Sequence, residues 1–113
     1  MNNAEFSKVI NSQLEMCQSL LGIKGAEYSD GEDRLIVFKR AASLQNCTPE
    51  QALSGMMLKH TVSIYDMIRA DYSEDIHRWN EKITDHMNYL LLLWALIVEK
   101  CLDERMIADH EQD

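Results

Sequence analysis

Residues 81–98 read EKITDHMNYLLLLWALIV, and this stretch decides the fold. At about 100 degrees per residue of an α-helix, three of its polar residues and two of its leucines form one narrow arc. The arc comprises Glu81, Asp85, Asn88, Leu92 and Leu96. The opposite side carries Ile83, Met87, Leu90, Leu91 and Trp94. Residues 90–98 are apolar all round, which is typical of a buried helix. We therefore predict that the arc lies at the mouth of a cleft or beside a partner subunit.

Apolar residues at three- and four-residue steps predict further helices upstream. The first covers residues 6–21 and ends at Gly22 and Gly25, which open an acidic loop that runs to about residue 31. The second begins at Glu32 and Asp33, two residues suited to a helix N-terminus, and continues to residue 45. The first predicted helix carries its apolar residues on one side, and the second is short and amphipathic.

The segment Thr48-Pro49-Glu50-Gln51 predicts the start of a third helix, with a threonine cap, a proline at the first position and a glutamine three residues after the cap. This helix is expected to reach about residue 70. The last helix begins between Ser73, a candidate cap, and Trp79, and runs towards Glu104. Residues 109–113 are expected to fray. With no strand pattern and no repeat, the sequence predicts one all-α domain spanning residues 1–113, with about four helices.

Composition excludes several classes of function. The chain has 113 residues, and its formal net charge of -8 opposes nucleic-acid binding, which depends on neutralising phosphates. The cysteines at 17, 47 and 101 are odd in number and lack a C-x-x-C spacing, so we expect neither a disulfide framework nor a thiolate zinc site. The N-terminus lacks a signal-peptide pattern, and the run at 89–98 is too short to span a membrane. We therefore expect a soluble, cytoplasmic protein with no membrane partner.

The predicted loop between the first two helices is a candidate site. Residues 24–33 read KGAEYSDGED. Its candidate functional residues are Lys24, Glu27, Tyr28, Asp30 and Asp33. Carboxylates are suited to a divalent cation, and a lysine is suited to phosphate. The alternatives are that Asp30 or Asp33 caps the second helix and that Tyr28 covers the edge of the core.

Two further candidates lie on the third helix, beside its apolar stripe. Lys59 can direct its ammonium group into a cleft against phosphate oxygens, or it can extend along apolar surface into solvent. His60 lies close to the stripe, where it is either a ligand contact or a histidine satisfied within the core.

The polar arc of the last helix supplies the remaining candidates. Glu81 and Asp85 are one turn apart and can share a hard cation such as Mg²⁺, and Asn88 can bind a ligand or orient water. The alternative is a solvated face, with charges balanced by Lys82 or Lys100.

These three segments resemble the all-α NTP pyrophosphatase superfamily of MazG-like and dimeric dUTPase-like proteins, in particular its small phage-associated nucleotide-modification-associated domains. The matching motifs are Lys24-Gly25-x-Glu27-Tyr28-x-Asp30, Lys59-His60 and Glu81-Lys82-Ile83-x-Asp85-x-x-Asn88-Tyr89-Leu90. The resemblance covers residues 20–98 and implies a helical bundle that dimerises or tetramerises. It also implies Mg²⁺-dependent hydrolysis of a nucleoside triphosphate to monophosphate and pyrophosphate. MazG-like enzymes carry a Glu-Glu-x-x-Glu motif, which this sequence lacks, so acids of the 24–33 loop would have to substitute for it.

The resemblance implies a role for each candidate. Mg²⁺, or Mn²⁺, would be held by Asp30, Asp33, Glu81 and Asp85. The nucleotide would be bound by Lys24, Tyr28, Lys59, His60 and Asn88. As catalytic residues, Glu27 would take the proton of the attacking water and Lys59 would stabilise charge on the phosphates.

Two alternatives to an enzyme remain open. One is a nucleotide-binding module without turnover, which the incomplete acidic motif favours. The other is a small acidic, phage-type inhibitor with a net charge that meets a basic surface on a host protein. For quaternary structure, the apolar run at 89–98 predicts a homodimer with the last helix at its centre.

Overall fold

A computed structural model describes the backbone of residues 1–28, 33–70 and 75–112 and the side chains of residues 1–22, 33–70 and 75–105. Within these ranges the chain forms four α-helices and no strand. They are α1 (Asn3–Tyr28), α2 (Ile36–Gln45), α3 (Pro49–Arg69) and α4 (Ile76–Gln112). The predicted all-α class is therefore confirmed. No helix in these ranges has the length and apolarity needed to cross a bilayer.

The start of α3 forms as predicted. The backbone N–H of Gln51 donates to Thr48 Oγ1 at 3.1 Å, and the backbone N–H of Thr48 donates to Gln51 Oε1 at 2.9 Å. These two bonds form a capping box, with Pro49 at the first helical position. The helix ends at Arg69, one residue from the predicted end.

Side-chain caps also fix the starts of α1 and α4. Asn2 Oδ1 accepts the backbone N–H of Glu5 at 2.9 Å, and Asp75 Oδ1 accepts that of Arg78 at 2.8 Å. The candidate cap Ser73 lies outside the described residues. Helix α4 continues to Gln112, past the expected end near residue 104 and through most of the segment expected to fray.

The predicted end of α1 is wrong. Gly22 and Gly25 predict a loop after residue 21, whereas the backbone stays helical to Tyr28. A glycine inside a helix costs only about 1 kcal/mol relative to alanine. The residues around the glycines include good helix formers such as Leu21 and Ala26, which offset that cost. Residues 24–28 therefore belong to the last turns of α1 instead of to a loop.

Helix α2 begins three residues later than predicted. Asp33 Oδ1 accepts the backbone N–H of Leu35 at 2.9 Å, which forms a turn before the helix starts at Ile36. At the other end, Asn46 adopts a left-handed conformation with φ of 53°, and its N–H donates to the carbonyl of Ala42. Asparagine tolerates this conformation better than most residues, so the helix stops sharply before α3.

Helix α3 packs antiparallel on α4. Thr61 Oγ1 lies 2.8 Å from His86 Nε2, and the ring centroids of His60 and Tyr89 are 5.0 Å apart. Nearer the start of α3, the two helices meet in the core, which α2 completes. The buried core cluster consists of Leu35, Phe38, Leu53 and Leu96.

Helix α1 packs on another side of α4 and runs parallel to it. Gln13 Nε2 donates to Thr84 Oγ1 at 2.7 Å, and one turn further along Cys17 Sγ lies 4.0 Å from Met87 Sδ. Thr84 is 1% exposed, so the bond from Gln13 satisfies a buried hydroxyl.

A third side of α4 stays open. Residues 90–98 are apolar on every side, yet in the single chain only Leu96 is buried, and Trp94 is 64% exposed. Helices α1 and α3 cover two sides of α4 and leave the third. We call this third side the apolar face. It consists of Ile83, Leu90, Leu91, Trp94, Ile97 and Val98, each at least 36% exposed.

Replacing Gly55 with alanine is expected to raise the free energy of unfolding by about 0.5–1 kcal/mol, because alanine is the better helix former. Gly55 lies within α3, and an added Cβ meets no atom within 4 Å. Urea unfolding followed by circular dichroism measures the change. Gly22→Ala in α1 is the matched variant, since its Cβ also meets open space. A loss of stability at both positions would contradict the expectation.

Candidate functional site

A cavity of about 420 Å³ lies between the four helices. This volume falls within the range of small-molecule sites in proteins. Its apolar walls come from Leu20, Leu21, Val37, Phe38, Met56 and Leu92. Its polar lining comes from Arg34, His60, Asp85, Asn88 and Tyr89. Apolar walls with a few convergent polar groups are typical of a ligand-binding pocket.

The polar arc of α4 leads into this cavity. Asp85, Asn88 and Leu92 line the cavity, and all three lie on the side of α4 that faces the core. Glu81, one turn before Asp85, is exposed and is not a lining residue. The arc therefore runs from solvent at Glu81, past Asp85 and Asn88, to the core at Leu96.

Asn88 carries the most informative atom of the cavity. Its Oδ1 is buried and has no hydrogen-bond partner among the described residues. An unsatisfied buried acceptor costs roughly 1–3 kcal/mol, and most such groups in native proteins have a partner. A hydrogen-bond donor supplied by a ligand would remove this cost.

His60 and Tyr89 form a tilted ring pair at the cavity wall, with an interplanar angle of 37°. Burial lowers the pKa of His60, although the nearby carboxylate of Asp85 acts in the opposite direction. Burial also raises the pKa of Tyr89, and Asp85 adds to this effect. At neutral pH His60 is therefore neutral and Tyr89 is protonated, so both side chains can form uncharged hydrogen bonds.

Arg34 is a cavity residue that none of the sequence motifs includes. Arg34 lines the cavity, and its Nη2 donates to the backbone carbonyl of Leu21 at 2.6 Å. Arg34 directly follows the acidic 24–33 segment, and this position is the one sequence signal for it. The contact between α1 and the residues before α2 is what brings Arg34 to the cavity. By contrast, Lys59 is exposed and does not line the cavity.

Asp33 has structural partners. Its Oδ2 lies 2.7 Å from Lys39 Nζ, which is also 2.7 Å from Glu99 Oε1 on α4. The hydrogen bond from Lys39, followed by that from the Leu35 N–H, lowers the pKa of Asp33. The bonds to Asp33 and Glu99 raise the pKa of Lys39. Both carboxylate oxygens of Asp33 are thus engaged in the turn before α2, which favours a structural role over metal ligation. Asp33 does not cap the helix, because the N-cap of α2 is Leu35 and no side chain bonds to the helix start as a cap.

The other candidates of the 24–33 segment can be placed only in part. The side chains of Lys24, Glu27 and Tyr28, and the whole of Asp30, lie outside the described residues. Among the side chains that are described, no group of three or more His, Cys, Asp or Glu residues is arranged to hold a metal ion.

No protein-family model, curated protein or solved structure matches this chain.

Proposed function

We propose that the cavity binds a nucleotide, with the base near Asn88. The observation that carries the proposal is the buried, unpartnered Oδ1 of Asn88 at a cavity of about 420 Å³. Nucleobases carry N–H donors and flat apolar faces. An N–H donor of the base would satisfy Asn88 Oδ1, and the flat face of the base would pack against Phe38 and Tyr89. A carboxylate, a neutral histidine and an arginine at the same cavity supply further polar contacts.

A second candidate function is hydrolysis of the bound nucleotide, and the pair Glu81 and Asp85 favours it. Protein-bound Mg²⁺ usually takes one or two carboxylates together with substrate phosphates and water, so these two acids one turn apart fit Mg²⁺ or Mn²⁺. When bound, the ion would neutralise phosphate charge and activate water. The chain would orient the triphosphate, and Glu27 would accept the proton as water displaces pyrophosphate from the α-phosphorus.

Replacing Asn88 with alanine is expected to weaken nucleotide binding about 10- to 100-fold, because a ligand donor then loses its acceptor. Calorimetric titration with a panel of ribo- and deoxyribonucleosides and their mono- and triphosphates, with and without Mg²⁺, measures this change. Asn11→Ala is the matched control, because Asn11 is an exposed asparagine on α1. Equal affinity in the wild type and the Asn88 variant, or no binding by the wild type, would contradict the proposal.

An assay of pyrophosphate release with the same panel of nucleotides separates binding from hydrolysis. Release of pyrophosphate that is lost in the Glu81→Gln, Asp85→Asn double variant would support the second candidate. Asp66→Asn is the control, since Asp66 is an exposed aspartate on α3. Nucleotide binding without pyrophosphate release would favour the binding module.

We further propose that a second copy of the chain covers the apolar face. The chain exposes 8675 Å². A compact monomer with the mass of this chain exposes about 6,400 Å², so the chain exposes roughly a third more surface than a compact monomer. The Cα radius of gyration is 17.5 Å, against about 13 Å for a compact domain of this length. A standard interface covers about 800 Å² on each partner, which is less than this excess.

Charge indicates where two copies of the chain could meet. Each chain carries a net charge of -8, so two copies repel each other least where the surface is uncharged. Residues 90–98 contain no charged side chain. A stripe on α3, next to the contact between Thr61 and His86, enlarges the uncharged area. It consists of Leu58, Val62, Tyr65 and Ile68, all at least half exposed.

A two-fold dimer would bring the same face of both chains together, with α4 at its centre. Further copies could use the exposed apolar residues of α1 to form a tetramer. Light scattering at micromolar concentration measures the mass directly, and the mass of a monomer would contradict this proposal.

A further inference from the structure

We infer that Arg34 binds the phosphate of the nucleotide and fixes the direction in which the ligand lies in the cavity. This inference rests on the proposed nucleotide site and assigns a binding role to a residue that the sequence motifs do not include. Arg34 is the only lysine or arginine among the residues that line the cavity within the described ranges. The base would then lie at Asn88 on α4, and the phosphate would lie beside Arg34, two residues before the start of α2.

The contact with Leu21 positions the guanidinium group. An arginine carries five N–H donors in a planar fork, and one nitrogen, Nη2, is held by the Leu21 carbonyl at 2.6 Å. The remaining donors can bind an anion in the two-pronged geometry that suits phosphate oxygens. Because the side chain is already held by α1, it loses less conformational freedom when the ligand binds.

Charge supports the same assignment. The chain as a whole carries a net charge of -8, and Asp85 adds a carboxylate at the cavity, so an anionic ligand is repelled unless a cation offsets this field. Arg34 and Lys59 are both exposed, but only Arg34 lines the cavity and can offset this field there, whereas Lys59, the phosphate contact implied by the sequence resemblance, lies outside the lining. A ligand with an anionic end and a donor-bearing aromatic end matches this distribution.

The competing account is that Arg34 only ties the start of α2 to α1. A structural role would weaken the binding of nucleosides and nucleotides by the same factor. A phosphate contact would weaken only the nucleotides. The ratio of nucleotide to nucleoside affinity therefore separates the two accounts.

The test is calorimetric titration of a nucleoside and its mono- and triphosphate into the wild type and the variants Arg34→Met, Arg34→Lys and Lys59→Met. A chelator in the buffer keeps divalent metal away. We expect Arg34→Met to lower nucleotide affinity about 10- to 100-fold and to leave nucleoside affinity unchanged. Arg34→Lys should recover part of the loss, because it keeps the charge but not the fork. Arg34→Lys also preserves the test if the methionine variant does not fold. Arg105→Met is the matched control, since Arg105 is an exposed arginine of α4.

An unchanged ratio of nucleotide to nucleoside affinity in both Arg34 variants would overturn the inference. The proposal that the cavity binds a nucleotide would be unaffected. A loss of that ratio in Lys59→Met, with Arg34→Met unaffected, would move the phosphate to Lys59 and also overturn it. If the wild type binds neither nucleoside nor nucleotide, the proposed function and the inference both fail.

Discussion

Replacing Leu53 with alanine is expected to lower the free energy of unfolding by about 2–5 kcal/mol. Leu53 is 0% exposed and lies in the core cluster with Phe38 of α2 and Leu96 of α4. The substitution removes three carbon atoms from a site closed on all sides, so the loss combines a transfer term with the cost of a cavity. Domains of this size have a total stability of only about 5–15 kcal/mol, and the variant is therefore expected to be close to unfolding at physiological temperature.

Urea unfolding at one fixed protein concentration measures the Leu53 effect, because self-association would otherwise add a concentration-dependent term. The matched control is Leu44→Ala on α2, where the leucine is 87% exposed and the expected change is within about 0.5 kcal/mol. Equal effects at the two positions would mean that Leu53 does not contribute to the core as its burial indicates.

Features that depend on neighbouring residues in the sequence could be predicted, and features that depend on distant partners could not. The capping box of Thr48 and Gln51 forms within four residues, so its sequence pattern is sufficient to predict it. The polar arc through Asp85 and Asn88 follows from helical periodicity alone. The predicted end of α1 is wrong because the helix formers around the two glycines offset the cost of placing glycine inside a helix.

The roles of Asp33 and Arg34 required the fold. Asp33 is bound to Lys39, which also binds Glu99, a residue 60 positions after Lys39 in the sequence. Arg34 reaches the cavity through a contact with the Leu21 carbonyl, 13 residues earlier. Neither contact has a local sequence signal. The family resemblance implies Asp33 as a metal ligand, and no motif in the sequence gives a reason to select Arg34.

Replacing Trp94 with glutamate is expected to convert the proposed dimer into monomers, raising the dissociation constant at least about 100-fold. Trp94 is 64% exposed and central to the apolar face of α4. A buried tryptophan at the centre of an interface contributes strongly to binding, and a glutamate would place an unpaired charge on each side of the two-fold axis. Both effects oppose association.

Sedimentation or light scattering over a range of micromolar concentrations measures the Trp94 effect. Leu44→Glu is the control, because it adds the same charge at an exposed leucine outside the apolar face and should leave the mass unchanged. A wild-type monomer, or a Trp94 variant that stays dimeric, would contradict the proposed interface.

The monomeric Trp94 variant also separates the interface from the nucleotide site. All the residues that line the cavity come from one chain, and those of α4 lie on the side facing the core, away from Trp94. Nucleotide affinity should therefore change less than about threefold, since a distant and independent site couples by only about 0.5 kcal/mol. If the affinity falls with the mass, the partner copy contributes to the site, and the cavity described for one chain is only part of it.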